Sequence, residues 1–203
     1  LQTQVNFWKK IYSQYTTDQG VLHDAEYIDF IYQEIDFSDI TKNLTMNLRQ
    51  KQKAREKRVK DAKKEVIARL LKLDKLMAEE SLNKNPSKDL HKDLAGEDLH
   101  KDLAGEDLRI WNLFKDVPKP TTSKKSKFFE AAQKNKLRFQ LGQKDRFQLG
   151  VFYSGRYFKD MEDIFAQEGL PKELTRLVFV ESSFNVFARS KVGASGLWQI
   201  MHS

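Results

Sequence analysis

Leu174, Leu177, Val178 and Glu181 fall at i, i+3, i+4 and i+7, the spacing of one helix face. Pro171 suits the first turn of such a helix, and Ser182, Ser183 and Asn185 suit its end. Three aliphatic positions predict a face turned inward, with the Glu181 carboxylate in the last turn. A carboxylate there is desolvated and sits at the negative end of the helix dipole. Both effects favour the protonated form, as a general acid requires. The same position also fits a structural carboxylate paired with a cation such as Arg189. Beyond it, Gly193-Ala194-Ser195-Gly196 predicts a tight turn open to close approach by a backbone or a ligand. A second short helix is expected from Leu197 to Met201. Its Trp198 and Gln199 suit a sugar ring, one as an apolar platform and the other as an amide that donates and accepts.

The rest of the chain divides by pattern. Trp8, Ile11, Tyr12 and Tyr15 recur at helical spacing, which predicts an amphipathic helix over VNFWKKIYSQYT. Residues 20 to 37 fit either period, and their β-branched and aromatic content favours a hairpin turning near Asp24-Ala25. His23 then lies in a turn as a solvated residue, with no second His at ligand spacing. Residues 42 to 80 contain no Gly or Pro. Val59, Ala62, Val66, Leu70, Leu73 and Met77 approximate a heptad stripe there, so a long helix with a narrow apolar seam is expected. HKDLAGEDL occurs twice in tandem, at 91–99 and 100–108, and reads as a local duplication in a tolerant connecting segment. Ile110, Trp111 and Phe114 are expected to pack on the long helix. A linker around Pro118 and Pro120 follows, and the stretch from there to Gly169 reads as helices. RFQLG appears in it at both 138–142 and 146–150, an echo attributed to coincidence of amphipathic pattern.

Composition narrows the reading. A chain of 203 residues allows one or two domains. Without cysteine, neither a disulfide framework nor a thiolate metal site can form. No apolar run is long enough to span a bilayer as a helix. From Thr41 to Glu80 there are thirteen Lys plus Arg against six Asp plus Glu, and that excess of seven equals the net charge of the whole chain. The basic character is therefore local. Charge alone permits nucleic-acid binding, yet the segment lacks interleaved aromatics and any recognisable nucleic-acid motif. A solvated helix face is favoured, which could also be drawn to an anionic cell wall.

The sequence ESSFNVFARSKVGASGLWQIM, residues 181–201, resembles the signature of the lytic murein transglycosylases within the goose-type-lysozyme-like group. Glu181, Ser182, Phe184, Asn185, Ser190, Gly193, Ala194, Gly196, Leu197, Gln199 and Met201 are in step with it. Residues 138–171 resemble the lead-in of the D-type membrane-bound members. The resemblance implies a mainly α chain, α+β and lysozyme-like in the complete family domain. It divides the chain into a helical N-terminal region at 1–117, a linker at 118–127 and the start of a catalytic lobe at 128–203. Glycosidases commonly use two carboxylates. Here no acidic residue follows Glu181. The family uses a single glutamate, as acid on the bond between N-acetylmuramic acid and N-acetylglucosamine and then as base on the sugar's own C6 hydroxyl. Glu181 takes that catalytic role by resemblance. Ser190 and Gln199 match substrate-contacting positions, and Met201 a cleft-lining one. No cofactor or metal is implied. The implied partner is the peptidoglycan glycan strand in the bacterial envelope, periplasmic or at the outer membrane, with membrane association through an anchor outside residues 1–203 and no nucleic acid. The chain starts at Leu1 and stops just after the signature, and reads as a fragment at both ends. On that reading, a family tyrosine facing the glutamate lies beyond Ser203, an apolar patch is left open around Glu181, and residues 1–203 by themselves are expected to lack lytic activity. Two other readings stand beside the enzyme: a wall-binding or structural protein with a degenerate lytic lobe, and a basic helical nucleic-acid binder.

Overall fold

The computed structural model describes residues 1–83, 103–118 and 125–201. The chain is mainly α, with one three-stranded sheet of order β2-β1-β3. Its elements are α1 (Gln2–Ser13), β1 (Gln19–Asp24), β2 (Ile31–Asp36), α2 (Ser38–Lys42), α3 (Leu48–Asn83), α4 (Gly105–Leu113), α5 (Lys127–Ala131), β3 (Leu137–Leu141), α6 (Lys144–Ser154), α7 (Phe158–Gln167), a 3-10 helix (Lys172–Arg176) and α8 (Leu177–Glu181). Two units pack separately. The first joins Leu1–Phe7 to Asp18–Gln140, and the second joins Trp8–Thr17 to Leu141–Ser203. Residues 119–124 of the expected linker lie outside the described residues, and α5 and most of β3 pack with the first unit.

The hairpin in the first unit forms as its β-branched and aromatic content predicts, with β1 and β2 antiparallel and Gly20 opposite Ile35. Asp24 organises the turn. Its carboxylate accepts from the backbone N–H groups of Glu26 (2.7 Å) and Tyr27 (3.0 Å) and from the Tyr32 hydroxyl (2.8 Å), so a buried carboxylate is saturated with donors. His23 departs from expectation. It lies in β1 rather than in a solvated turn, is buried against the Phe7 ring at 4.8 Å, and donates from Nδ1 to the Asp24 carbonyl at 2.8 Å. β1 is the central strand of the sheet and is covered on both faces, so five consecutive residues of it are buried and His23 is one of them.

Helix α3 is the spine of the first unit. Ala62, Val66, Leu70 and Leu73 of the predicted seam are buried, and Ile110, Trp111 and Phe114 close over the core with Phe128. Cations flanking the seam turn inward to fixed partners. Arg55 meets Asp18 at 2.5 Å, Arg58 grips both oxygens of Asp39 at 2.6 and 2.7 Å, and Arg69 and Lys72 share Asp107 at 2.9 and 2.6 Å. Much of the basic character is thus used within the unit, in bidentate and networked pairs of the kind that outlast isolated ones. The first repeat copy lies outside the described residues. The second, from Leu103 onward, enters α4 and supplies Asp107.

The stretch after the linker is not all helical. The first RFQLG lies largely in β3, as LRFQL, whereas the second lies inside α6. One pentapeptide therefore adopts both conformations, and tertiary context overrides propensity. The two glycines share a role all the same. A Cβ on Gly142 would strike the carbonyl oxygens of Tyr15 and Thr16, and one on Gly150 would stand 3.0 Å from the Ser183 carbonyl oxygen. Each marks a close backbone approach.

Candidate active site

The segment carrying Glu181 starts as a 3-10 helix and becomes α-helical at Leu177. With three residues per 3-10 turn, residues three apart eclipse, so Thr175 and Val178 share the buried side while Leu174 and Leu177 share an exposed one. This corrects the inward face expected from a uniform 3.6-residue period. Glu181 ends α8 exposed to solvent, and no ion pair engages it or Arg189 among the described residues. Its charge is felt in the second unit by Tyr12 of α1. Burial, and after it the Glu181 carboxylate, raises the Tyr12 phenol above its ordinary value. Tyr12 also meets Phe147 edge-on at 5.6 Å. Sequence spacing gave Tyr12 only a packing role, and nothing in the motif connects it to Glu181.

The chain turns abruptly after α8. Ser183 and Phe184 take positive φ angles of 52° and 57°, and Gln199 takes 49°. Among the described residues these are the non-glycine positions in that region of backbone space, and all three fall within the signature. Such conformations persist only where surrounding contacts enforce them. Here the enforcing contacts are visible. Phe184 is buried against Phe179 at 4.7 Å and Phe158 at 5.9 Å, and the Ser182 hydroxyl donates to the Leu197 carbonyl at 2.8 Å. Arg176 braces the same cluster, lying over the Phe158 ring at 4.7 Å while pairing with Glu162 at 2.7 Å.

Residues 188–200 form a self-bonded double turn in place of the expected second helix. Ser195 and Ile200 exchange backbone hydrogen bonds at 3.1 and 3.2 Å, and the Gly196 N–H donates to the Ala188 carbonyl at 3.0 Å. Gly193 and Gly196 have φ of 94° and 75°, and an added Cβ on either would meet nothing within 4 Å. Backbone conformation, not close approach, demands glycine there. The predicted site residues serve this loop. The Ser190 hydroxyl accepts from the Ala194 N–H at 2.9 Å, and the Gln199 amide donates to the carbonyls of Gly196 (2.9 Å) and Ala188 (3.2 Å). Met201 is exposed. Trp198 stacks on Phe165 at 5.5 Å, so one of its faces is already occupied.

Residues 162–203 match the family model described as the transglycosylase SLT domain. The match relates the C-terminal part of the chain to the lytic transglycosylases, enzymes of the peptidoglycan wall, and covers the whole constellation from Glu162 through Met201. No curated protein and no solved structure matches the chain.

Proposed function

We propose that the protein is a peptidoglycan lytic transglycosylase that cleaves the β-1,4 bond between N-acetylmuramic acid and N-acetylglucosamine, with Glu181 as its acid and base. Protonated Glu181 gives its proton to the glycosidic oxygen as the bond from the muramic acid C1 breaks. The carboxylate then takes the proton of the same sugar's C6 hydroxyl as O6 closes on C1. The product is a 1,6-anhydro ring and no water is consumed, so a single carboxylate suffices where hydrolases commonly use two. Ser190, Gln199 and Met201 form the substrate-facing loop. The lead-in at 138–171 points to the D-type membrane-bound members, and with them to the cell envelope.

The observation that carries this reading is the joining of an exposed Glu181 to the strained signature loop by the Ser182–Leu197 hydrogen bond, within the segment that matches the transglycosylase domain. Backbone strain concentrates where function requires it. The test is product analysis. Purified sacculi incubated with the full-length protein should release muropeptides ending in 1,6-anhydromuramic acid. Products ending in a reducing sugar would make the protein a hydrolase, and absence of any release would favour a wall-binding protein with a degenerate lobe.

A further inference from the structure

Among the described residues of the first unit past Asp18, the large apolar side chains left open to solvent are Leu44, at 97% exposure, and Leu48, at 86%. They sit in the loop that leads into α3 and at that helix's first residue. The charge along this stretch of the sequence has one sign. Between Asp39 and Glu56 the chain carries Lys42, Arg49, Lys51, Lys53 and Arg55 and no acidic residue. Lys51 and Arg55 turn back into the unit, to the Thr41 carbonyl at 2.6 Å and the Asp18 carboxylate at 2.5 Å. Lys42, Arg49 and Lys53 face solvent, and none holds an ion pair among the described residues. Arg49 and Lys53 are four apart, a like-charge spacing that destabilises a helix. An ordinary solvated face would place acids between them.

We propose that this end of the first unit docks on the surface of an anionic phospholipid bilayer. Leu44 and Leu48 enter the boundary between headgroups and acyl chains, while Lys42, Arg49 and Lys53 meet lipid phosphates. Each observation alone fits several partners, and together they select this one. A nucleic acid or an anionic wall polymer would satisfy the cations, yet it offers the leucines nothing, and no aromatic stands among them to stack on a base. The docking proposed is peripheral, and no helix of the described residues is long and apolar enough to cross a membrane. The proposal does not depend on the transglycosylase reading.

Co-sedimentation of the protein with phosphatidylglycerol–phosphatidylcholine vesicles, against phosphatidylcholine alone, tests it. Binding is expected to the mixed vesicles only, and to weaken as salt rises. The double variants Leu44→Ser/Leu48→Ser and Arg49→Gln/Lys53→Gln should each bind at least tenfold more weakly. Circular dichroism should show both still folded, since the four side chains are exposed. In a second measurement, Leu44→Trp should shift its emission to the blue on the mixed vesicles. Failure of the wild-type protein to sediment would overturn the proposal. So would binding that survives loss of both leucines, because the cations would then be a general polyanion surface.

Discussion

The Ser182 hydroxyl donates to the carbonyl of Leu197 at 2.8 Å, bridging fifteen residues of sequence between the end of α8 and the turn that carries Gln199. This bond fixes where the loop sits relative to Glu181. Ser182→Ala removes it and leaves a part-buried carbonyl unsatisfied, which should lower the stability of the second unit by about 1 kcal/mol. Hydrogen exchange of the amides from 183 to 200 should accelerate, with those of β1 unchanged. Uniform protection in the variant would show that the loop holds itself without Ser182.

The paired glycines should respond unequally. Gly142→Ala drives a Cβ into two backbone carbonyls that have no rotamer to escape to, which should cost about 2 to 3 kcal/mol. Gly150→Ala asks Ser183 to give by only a few tenths of an ångström, and the helix interior gains up to about 1 kcal/mol of propensity. Thermal melts should therefore show a large loss for the first and a change within about 1 kcal/mol for the second. Equal losses would contradict this ordering.

Asp107 ties α4 to α3 through Lys72 and Arg69, and those hydrogen bonds, Lys72's first, hold its carboxyl below the ordinary range. Because the two nonapeptides are identical, removing residues 91–99 leaves the same Asp before Arg109. The deletion should move the melting midpoint by less than about 5 °C, since connecting segments tolerate changes in length. Asp107→Ala, by contrast, should lower it measurably. A deletion as damaging as the substitution would mean that the first copy is itself packed.

His23 gives the fold an acid sensitivity. Burial lowers its folded value below the ordinary 6.5, with Arg138 and Lys63 adding to that effect and the Asp24 carbonyl and carboxylate opposing it. The unfolded chain therefore binds a proton that the folded one resists. The contribution of His23 is complete above pH 6.5 and is lost as the pH falls below that value. Melting midpoints measured from pH 7.5 to 5 should fall more steeply for the wild-type protein than for His23→Gln. Parallel profiles would remove His23 from the account.

Much of this was legible in the chain, for reasons that differ by residue. Ala62, Val66, Leu70 and Leu73 announce α3 because a long uninterrupted period leaves few alternatives. The hairpin is legible from its β-branched and aromatic residues, although β2 begins only at Ile31 and leaves Ile28 and Phe30 in the turn. The double identity of RFQLG is not legible, since five residues carry no information about which neighbours they will meet. Nor is the exposure of Glu181. The positions of Leu174 and Leu177 fit an α-helical face, and only the 3-10 geometry turns that face outward. The loop itself is predicted by type rather than by contact. Ser190, Gly193 and Gly196 belong to it as expected and Gln199 joins it in place of a second helix, while Tyr12, Gly150 and the Ser182 bond to Leu197 arise from chain segments meeting in space.

Glu181→Gln puts the central claim to the most direct test. The amide keeps the shape of the side chain but cannot transfer the proton, and an exposed position makes a folding defect easy to exclude by melting. Full-length parent and variant would be incubated with the same purified sacculi, and the released 1,6-anhydromuropeptides quantified by mass spectrometry. The account predicts release by the parent and none above background by the variant, with unchanged melting. Turnover by Glu181→Gln within tenfold of the parent would show that another group supplies the proton.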